Sequence, residues 1–357
     1  MKKVQTISLF LGLIITLWYA CKRVDDEPIY PASPISRLYI SYSDVESQDT
    51  DPYNNIAIID PADSAGYFPQ TIYTYNSDPN QGMGIVFDPY LGKVFQVSRR
   101  DSSVRSFTVA ENGTLTSSTN FRDTVSLPSA RAIRYNRVSD HLIVSDNSPD
   151  TPAIHLFYAP TRLAQQQKAQ YKAILQTPPW GITLSNDDDS TLMVSTDTAH
   201  QILEFPIRSL KVNDTVTAQH TITINGATST RGLTYSPILN ILIVADPGVI
   251  GTTDGKVYII EDAKNVLSQG GTITPTRVIS GTTATLIDPV DVAVDDRRGR
   301  TNYIYVADRG GSTKRILRFT IEASGNVAPE AVKNLGTLSP EFIYLDARGG
   351  ESTEDGQ

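Results

Sequence analysis

Short apolar runs recur along the chain in sets of three, each run bounded by turn residues. Gly84-Ile85-Val86-Phe87-Asp88 leads to Val94-Phe95-Gln96-Val97 and then to Val104-Arg105-Ser106-Phe107. The set returns with first runs anchored at Ala132, Gly181, Gly232 and Asp291, and with second runs such as Leu142-Ile143-Val144-Ser145-Asp146. The anchors are spaced by 48, 49, 51 and 59 residues, in the range of propeller blades. A looser fourth run closes each unit, as at 170–175 and 219–224. Four short antiparallel strands per unit predict one blade. Runs as apolar as Leu242-Ile243-Val244 predict sheets covered on both faces, which blades stacked around an axis supply.

The ends of the pattern set the number of blades. Ahead of Gly84 lie only three runs, at 37–41, 55–60 and 70–75. After the last full unit a single first-run pattern remains, Phe342-Ile343-Tyr344-Leu345-Asp346. Three N-terminal strands plus one C-terminal strand complete a sixth blade and remove an exposed sheet edge. The expectation is an all-β fold: a six-bladed β-propeller over 37–347, four antiparallel strands per blade, with a polar tail at 348–357. One such ring absorbs a length of 357 residues that would otherwise suggest two domains.

The fullest unit is Pro289-Val290-Asp291-Val292-Ala293-Val294-Asp295, with Tyr303-Ile304-Tyr305-Val306-Ala307-Asp308 and Arg315-Ile316-Leu317-Arg318-Phe319. It resembles the NHL-repeat propellers and their looser bacterial relatives; Pro179-Trp180-Gly181-Ile182-Thr183-Leu184 matches less fully. The resemblance implies glycines where backbones approach closely and aspartates that tie down turns after second strands. It implies no particular activity, because propellers host unrelated functions.

Residues 1–20 add an address. Lys2 and Lys3 precede an apolar stretch over 7–20, the layout of a signal peptide and too short to span a bilayer stably. Leu17-Trp18-Tyr19-Ala20-Cys21 resembles a bacterial lipobox, with Trp18 standing where leucine is usual. That resemblance implies cleavage before Cys21 and attachment of acyl chains such as palmitate to its sulfur. Lys22-Arg23-Val24-Asp25-Asp26-Glu27 resembles the charged export signals of surface-exposed outer-membrane lipoproteins. Pro28, Pro31 and Pro34 favour an extended spacer, so 21–36 reads as a tether. Asp-Ser/Thr-aliphatic triplets at Asp63, Asp123, Asp197 and Asp214 resemble the O-glycosylation sequon of some Gram-negative bacteria. The expected location is the bacterial cell envelope, lipid-anchored at the outer membrane on its periplasmic or surface face.

Composition removes several classes. With 39% hydrophobic residues the chain is not disordered. Its formal charge of −8, or −10 once Lys2 and Lys3 are lost, argues against a nucleic-acid partner. One cysteine excludes a disulfide framework, and four histidines at 141, 155, 200 and 220 leave little for a metal cluster. Asn186-Asp187-Asp188-Asp189 lacks EF-hand spacing and reads as a solvated turn. No cofactor and no metal are expected.

The residue before each inner-strand anchor lines one mouth of the channel. In register these are Met83, Arg131, Trp180, Arg231, Val290 and Glu341. Arginine offers bidentate recognition of carboxylate or sulfate, and tryptophan a stacking face. Met83, Arg131, Trp180, Arg231 and Glu341 are therefore the candidate ligand-binding set. Loops between second and third strands open on the same mouth and carry Arg99-Arg100-Asp101, Asp146-Asn147, Asp197 with His200, Asp246 and Asp308-Arg309. Their aspartates read mainly as turn caps.

The functional expectation is a monomeric binding lipoprotein for an acidic, glycan or protein ligand. One alternative is a calcium-dependent lactonase-like hydrolase. Such propellers hold their metal with Glu, Asn and Asp, whereas this ring supplies two arginines, a tryptophan and one acid. No Gly-x-Ser-x-Gly elbow and no histidine at a ring position support catalysis. The other alternative is a scaffold subunit of an envelope complex.

Overall fold

The computed structural model describes residues 34–44, 54–70, 72–77, 81–122, 127–162, 167–184, 190–197 and 199–349, with 117–122 as backbone only. The expected signal peptide, Cys21, most of the tether, the acidic turn at 186–189, the Asp123 triplet and most of the polar tail lie outside them.

Six antiparallel four-stranded sheets account for nearly all of the strands. The innermost strands are Gly82–Asp88, Ala130–Asn136, Ile182–Leu184, Leu233–Ser236, Pro289–Val294 and Pro340–Arg348, which belong to blades 2 to 6 and, for the last, blade 1. The molecule is a six-bladed β-propeller, and among the described residues it is all-β apart from a short helix and two 3-10 turns. Second strands are buried along their length: Leu142, Ile143 and Val144 are shielded from solvent, as are Leu242, Ile243 and Val244. Burial on both faces is why these runs lack polar alternation.

Inner strands meet backbone to backbone around the axis. A Cβ on Gly84 would lie 2.6 Å from the Ile133 nitrogen of the next blade. Glycine allows this approach, which any side chain would block. At Asp146, Asp246 and Asp308 the expected turn caps are present. Asp146 accepts from the Ser129 and Ser148 amides, and Asp246 from those of Thr228 and Gly248. Each carboxylate therefore also fixes the loop that leads into its blade's inner strand.

Blade 1 closes the ring as the end pattern implies, in the order Pro340–Arg348, Ile35–Tyr42, Ile56–Ile59, Tyr73–Tyr75. The closing pair runs from Ile35 opposite Arg348 to Tyr42 opposite Pro340. Arginines of blade 6 reinforce it. Arg318, fully buried, donates to the Ala62 and Ser64 carbonyls and pairs with Glu330. Arg297 bridges Asp295 and Asp63 at 2.5 and 2.6 Å.

One feature departs from the repeat pattern. Blade 5 inserts the helix Ala263–Gln269 and the strand Gly271–Ile273, which pairs in parallel with the outer strand of blade 4, His220–Ile224. Smaller bridges do the same elsewhere: Thr215 of blade 4 meets Ile174 of blade 3, and Gly325 of blade 6 meets Ile279 of blade 5. In blades 4, 5 and 6 the connection before the fourth strand thus covers part of the outer edge of the preceding blade, which leaves fewer open edges. Among the described residues no helix is long and apolar enough to cross a membrane.

Candidate functional site

The inner strands begin together at one end of the channel and finish together at the other. At the beginning the expected set converges and is buried. Arg131, Trp180, Arg231 and Glu341 are each at most 8% exposed. The Arg131 guanidinium lies 3.1 Å from the centroid of the Trp180 ring, and that of Arg231 lies 4.3 Å from it. Met83 and Val290 are apolar walls, buried in the surrounding core.

What the register did not indicate is the set of counter-charges. Arg131 meets Glu341 at 2.5 Å, and Glu341 also pairs with Arg309. Arg309 reaches Asp288 at 2.9 Å, Asp288 takes Arg231 at 2.6 Å, and Arg231 reaches Asp197 at 3.3 Å. Three arginines alternate with three carboxylates in a continuous chain drawn from blades 1, 3, 4, 5 and 6. Asp288 escaped the sequence reading because it stands two residues before the ring position. Arg309 and Asp197 were visible only as loop residues.

The electrostatics of this belt are lopsided. Burial pushes the Glu341 carboxyl up, but Arg131 and Arg309 together outweigh it and hold the group below its usual range. Burial pulls the Arg131 guanidinium down to about 10, because Glu341 serves two arginines and Arg309, Arg99 and Arg231 repel it. It stays protonated at neutral pH. Among the described residues Arg131 Nε and Trp180 Nε1 have no hydrogen-bond partner. This end is closed by a charged belt whose own carboxylates occupy the arginines.

The other end opens. Where the inner strands finish, a cavity of about 380 Å³ is lined from all six blades, within the size range of small-molecule sites. Val86, Val292, Ala293 and Ile343 supply apolar surface; Thr183, Thr234, Tyr235 and Tyr344 supply hydroxyls. Arg134 is the cation in its depth. It donates to the Ile133 carbonyl at 2.8 Å and lies 6.0 Å from the Tyr344 ring centroid. Among the described residues no carboxylate hydrogen-bonds or ion-pairs with it.

Asp291 stands behind this surface. It is 1% exposed, accepts from the Ile343 amide at 2.9 Å and lies against Gly232. Burial pushes its carboxyl up to about 7, against the pull of Arg134 and with help from Glu341. Burial also lowers the Arg134 guanidinium, while Asp291 raises it. Around the rim, Arg137 stacks on Tyr90 at 2.9 Å, and Asp88 accepts from the Tyr90 and Leu91 amides. Asp296 takes the Ser236 hydroxyl at 2.7 Å.

The funnel residues were within reach of the sequence. Reading three positions further along each inner strand gives Val86, Arg134, Thr183, Thr234, Ala293 and Tyr344, a second ring with one arginine in it. Among the described residues no group of three or more His, Cys, Asp or Glu is placed to hold a metal ion.

No family model matches the chain, and no curated protein matches it in sequence. Solved structures match in fold. A chain of a nidogen/laminin complex superposes with a TM-score of 0.55 at 12% identity, covering 87% of this chain and 98% of that one. A Bacteroides fragilis protein provisionally named a 6-phosphogluconolactonase gives 0.52 at 12% identity, covering 90% and 100%. The pyrroloquinoline quinone domain of Coprinopsis cinerea pyranose dehydrogenase, in its holo form, gives 0.53 at 11%, covering 76% and 91%. At such identities the likeness is one of fold alone, and these names differ in chemistry as the fold permits.

Proposed function

We propose that this chain is a binding protein of a bacterial cell envelope, anchored through Cys21 and receiving its ligand at the funnel end of the propeller. The observation that carries the reading is the asymmetry of the channel. One end is closed by the Arg131–Glu341–Arg309–Asp288–Arg231 belt, while the other holds a cavity whose cation, Arg134, among the described residues makes no hydrogen bond or ion pair with a carboxylate and feels Asp291 only through the longer-range field. The NHL-like repeats build the ring, and the acidic or glycan ligand anticipated from the arginines is assigned to Arg134 instead of Arg131 and Arg231.

Lactone hydrolysis is the competing reading, drawn from the name of the Bacteroides fragilis neighbour. Hydrolysis needs a base facing the substrate. Asp291 has a suitably raised pKa but is buried, held by the Ile343 amide and absent from the cavity lining, while the lining carboxylates Asp88 and Asp296 are engaged by the Tyr90 and Leu91 amides and by the Ser236 hydroxyl. This favours binding over turnover.

Two measurements test the proposal. Cys21→Ala should move the protein from the membrane fraction to the soluble one and abolish palmitate labelling; retention at the membrane overturns the anchor. A panel of glycans, sugar acids and acidic peptides should yield a ligand whose binding is lost on substitution in the funnel. Turnover of aldonolactones instead would establish the hydrolase.

A further inference from the structure

We propose that the funnel takes a hydroxylated monocarboxylate, a sugar acid of the hexuronate class, with its carboxylate on Arg134 and its hydroxyls on Thr183, Thr234, Tyr235 and Tyr344. This rests on the binding reading and names the ligand class for that site. The cavity combines three chemistries in one space: a guanidinium, several hydroxyls from different blades, and the apolar patch of Val86, Val292, Ala293 and Ile343. An arginine fork suits a planar carboxylate. Hydroxyl groups beside apolar side chains suit a pyranose, which presents both equatorial hydroxyls and a C–H face.

The rim sets the charge. Asp88 and Asp296 stand at its edge, and Asp291 lies behind Arg134. The negative field of Asp88 and Asp296 disfavours a phosphate dianion or a polyanion more than a single carboxylate. Arg134 in depth, with the Arg137 cation and the Asp88 and Asp296 carboxylates together at the rim, fits a ligand of charge −1.

Proton linkage follows from the same geometry. The groups acting on Asp291 are Arg134 from blade 3, Glu341 and the Ile343 amide from blade 1, and its own neighbour Val292. An anion on Arg134 takes up the positive charge that steadies ionised Asp291, so binding favours its protonated form. A hexuronate remains ionised throughout, and its affinity falls as pH rises from 6 to 8.

Calorimetric titration of the full chain in detergent micelles, with galacturonate and glucuronate against galactose and glucose, tests the assignment. At pH 6 each uronate should bind about tenfold more tightly than its neutral counterpart. Arg134→Gln should erase that preference while cooperative unfolding is retained, and Thr234→Val, a milder change, should weaken both kinds of sugar severalfold. Asp291→Asn should flatten the pH dependence.

Equal affinity for neutral and acidic sugars overturns the assignment, as does inorganic phosphate at pH 8, where it is a dianion, binding as tightly as a uronate at that pH. If no sugar binds but another panel compound is lost in Thr234→Val, the sugar-acid class falls and the binding reading stands. If nothing in the panel binds, both fall.

Discussion

Arg131 and Glu341 are 210 residues apart in sequence and meet at 2.5 Å, each almost wholly shielded from water. The contact ties blade 3 to the closing blade, with blade 2 between them. Removing one partner of a buried pair leaves the other charge uncompensated. Glu341→Gln should therefore cost about 3–5 kcal/mol, read as a lower midpoint in urea. A loss below about 1 kcal/mol would put the belt in the class of exposed pairs. Because the Glu341 carboxyl sits below its usual range, its contribution is present at neutral pH and is lost on acidification through that depressed pKa.

Gly232 has no room for a methyl group. A Cβ there would run into the Cα and carboxylate of Asp291 on the neighbouring inner strand. Backbone at a blade contact cannot give way as a flexible side chain does, so Gly232→Ala should destabilise by about 3 kcal/mol or more. At Gly66 the surroundings are open but φ is +77°, and Gly66→Ala should cost only about 1–2 kcal/mol. Thermal unfolding of the two variants side by side checks the difference.

Asp291→Asn should act with pH. The folded carboxyl is raised to about 7 by burial, so the native state holds a proton that the unfolded chain has already released. Native stability from this group is intact below the unfolded carboxylate range and declines as pH rises toward 7. The asparagine variant should match the parent near pH 3 and exceed it at pH 8, by on the order of 4 kcal/mol. A parent that is equally stable relative to the variant at both pH values contradicts the raised pKa.

Arg318 latches blade 6 to blade 1 through the carbonyls of Ala62 and Ser64. Arg318→Met removes the guanidinium that lies against the Phe68 and Tyr303 rings and leaves the Ala62 carbonyl with the Tyr305 hydroxyl and the Ser64 carbonyl with the Tyr67 amide as their remaining donors. Stability should fall by about 2–3 kcal/mol, with faster amide hydrogen exchange concentrated in 61–70. Uniform acceleration across all six blades would mean that the latch has no local role.

The blades were legible because burial on both sides leaves unbroken apolar runs between regular turn residues. Closure was legible because the incomplete units at the two ends add up to one blade. Register also brought Arg131, Trp180, Arg231 and Glu341 to a common level, as the structure has them. It could not tell whether those arginines face a ligand or a protein carboxylate, since Asp288 and Arg309 reach them from loops outside the repeat. Nor could it place Gly271–Ile273 on blade 4, because a parallel pairing made by an insertion has no periodic signature. Arg134 was overlooked for a simpler reason: a single arginine inside an apolar strand resembles a core position until the cavity beside it is seen.

The closing pair also orients the molecule. Ile35 lies opposite Arg348, and the Arg348 guanidinium sits 5.1 Å from the ring centroid of Phe87, on the funnel wall. The chain upstream of Ile35 therefore joins the propeller at its funnel end. From Cys21 to Ile35 an extended chain reaches at most roughly 50 Å. With Cys21 as the proposed anchor, this short reach holds the funnel end, not the charged belt, nearest the point of attachment.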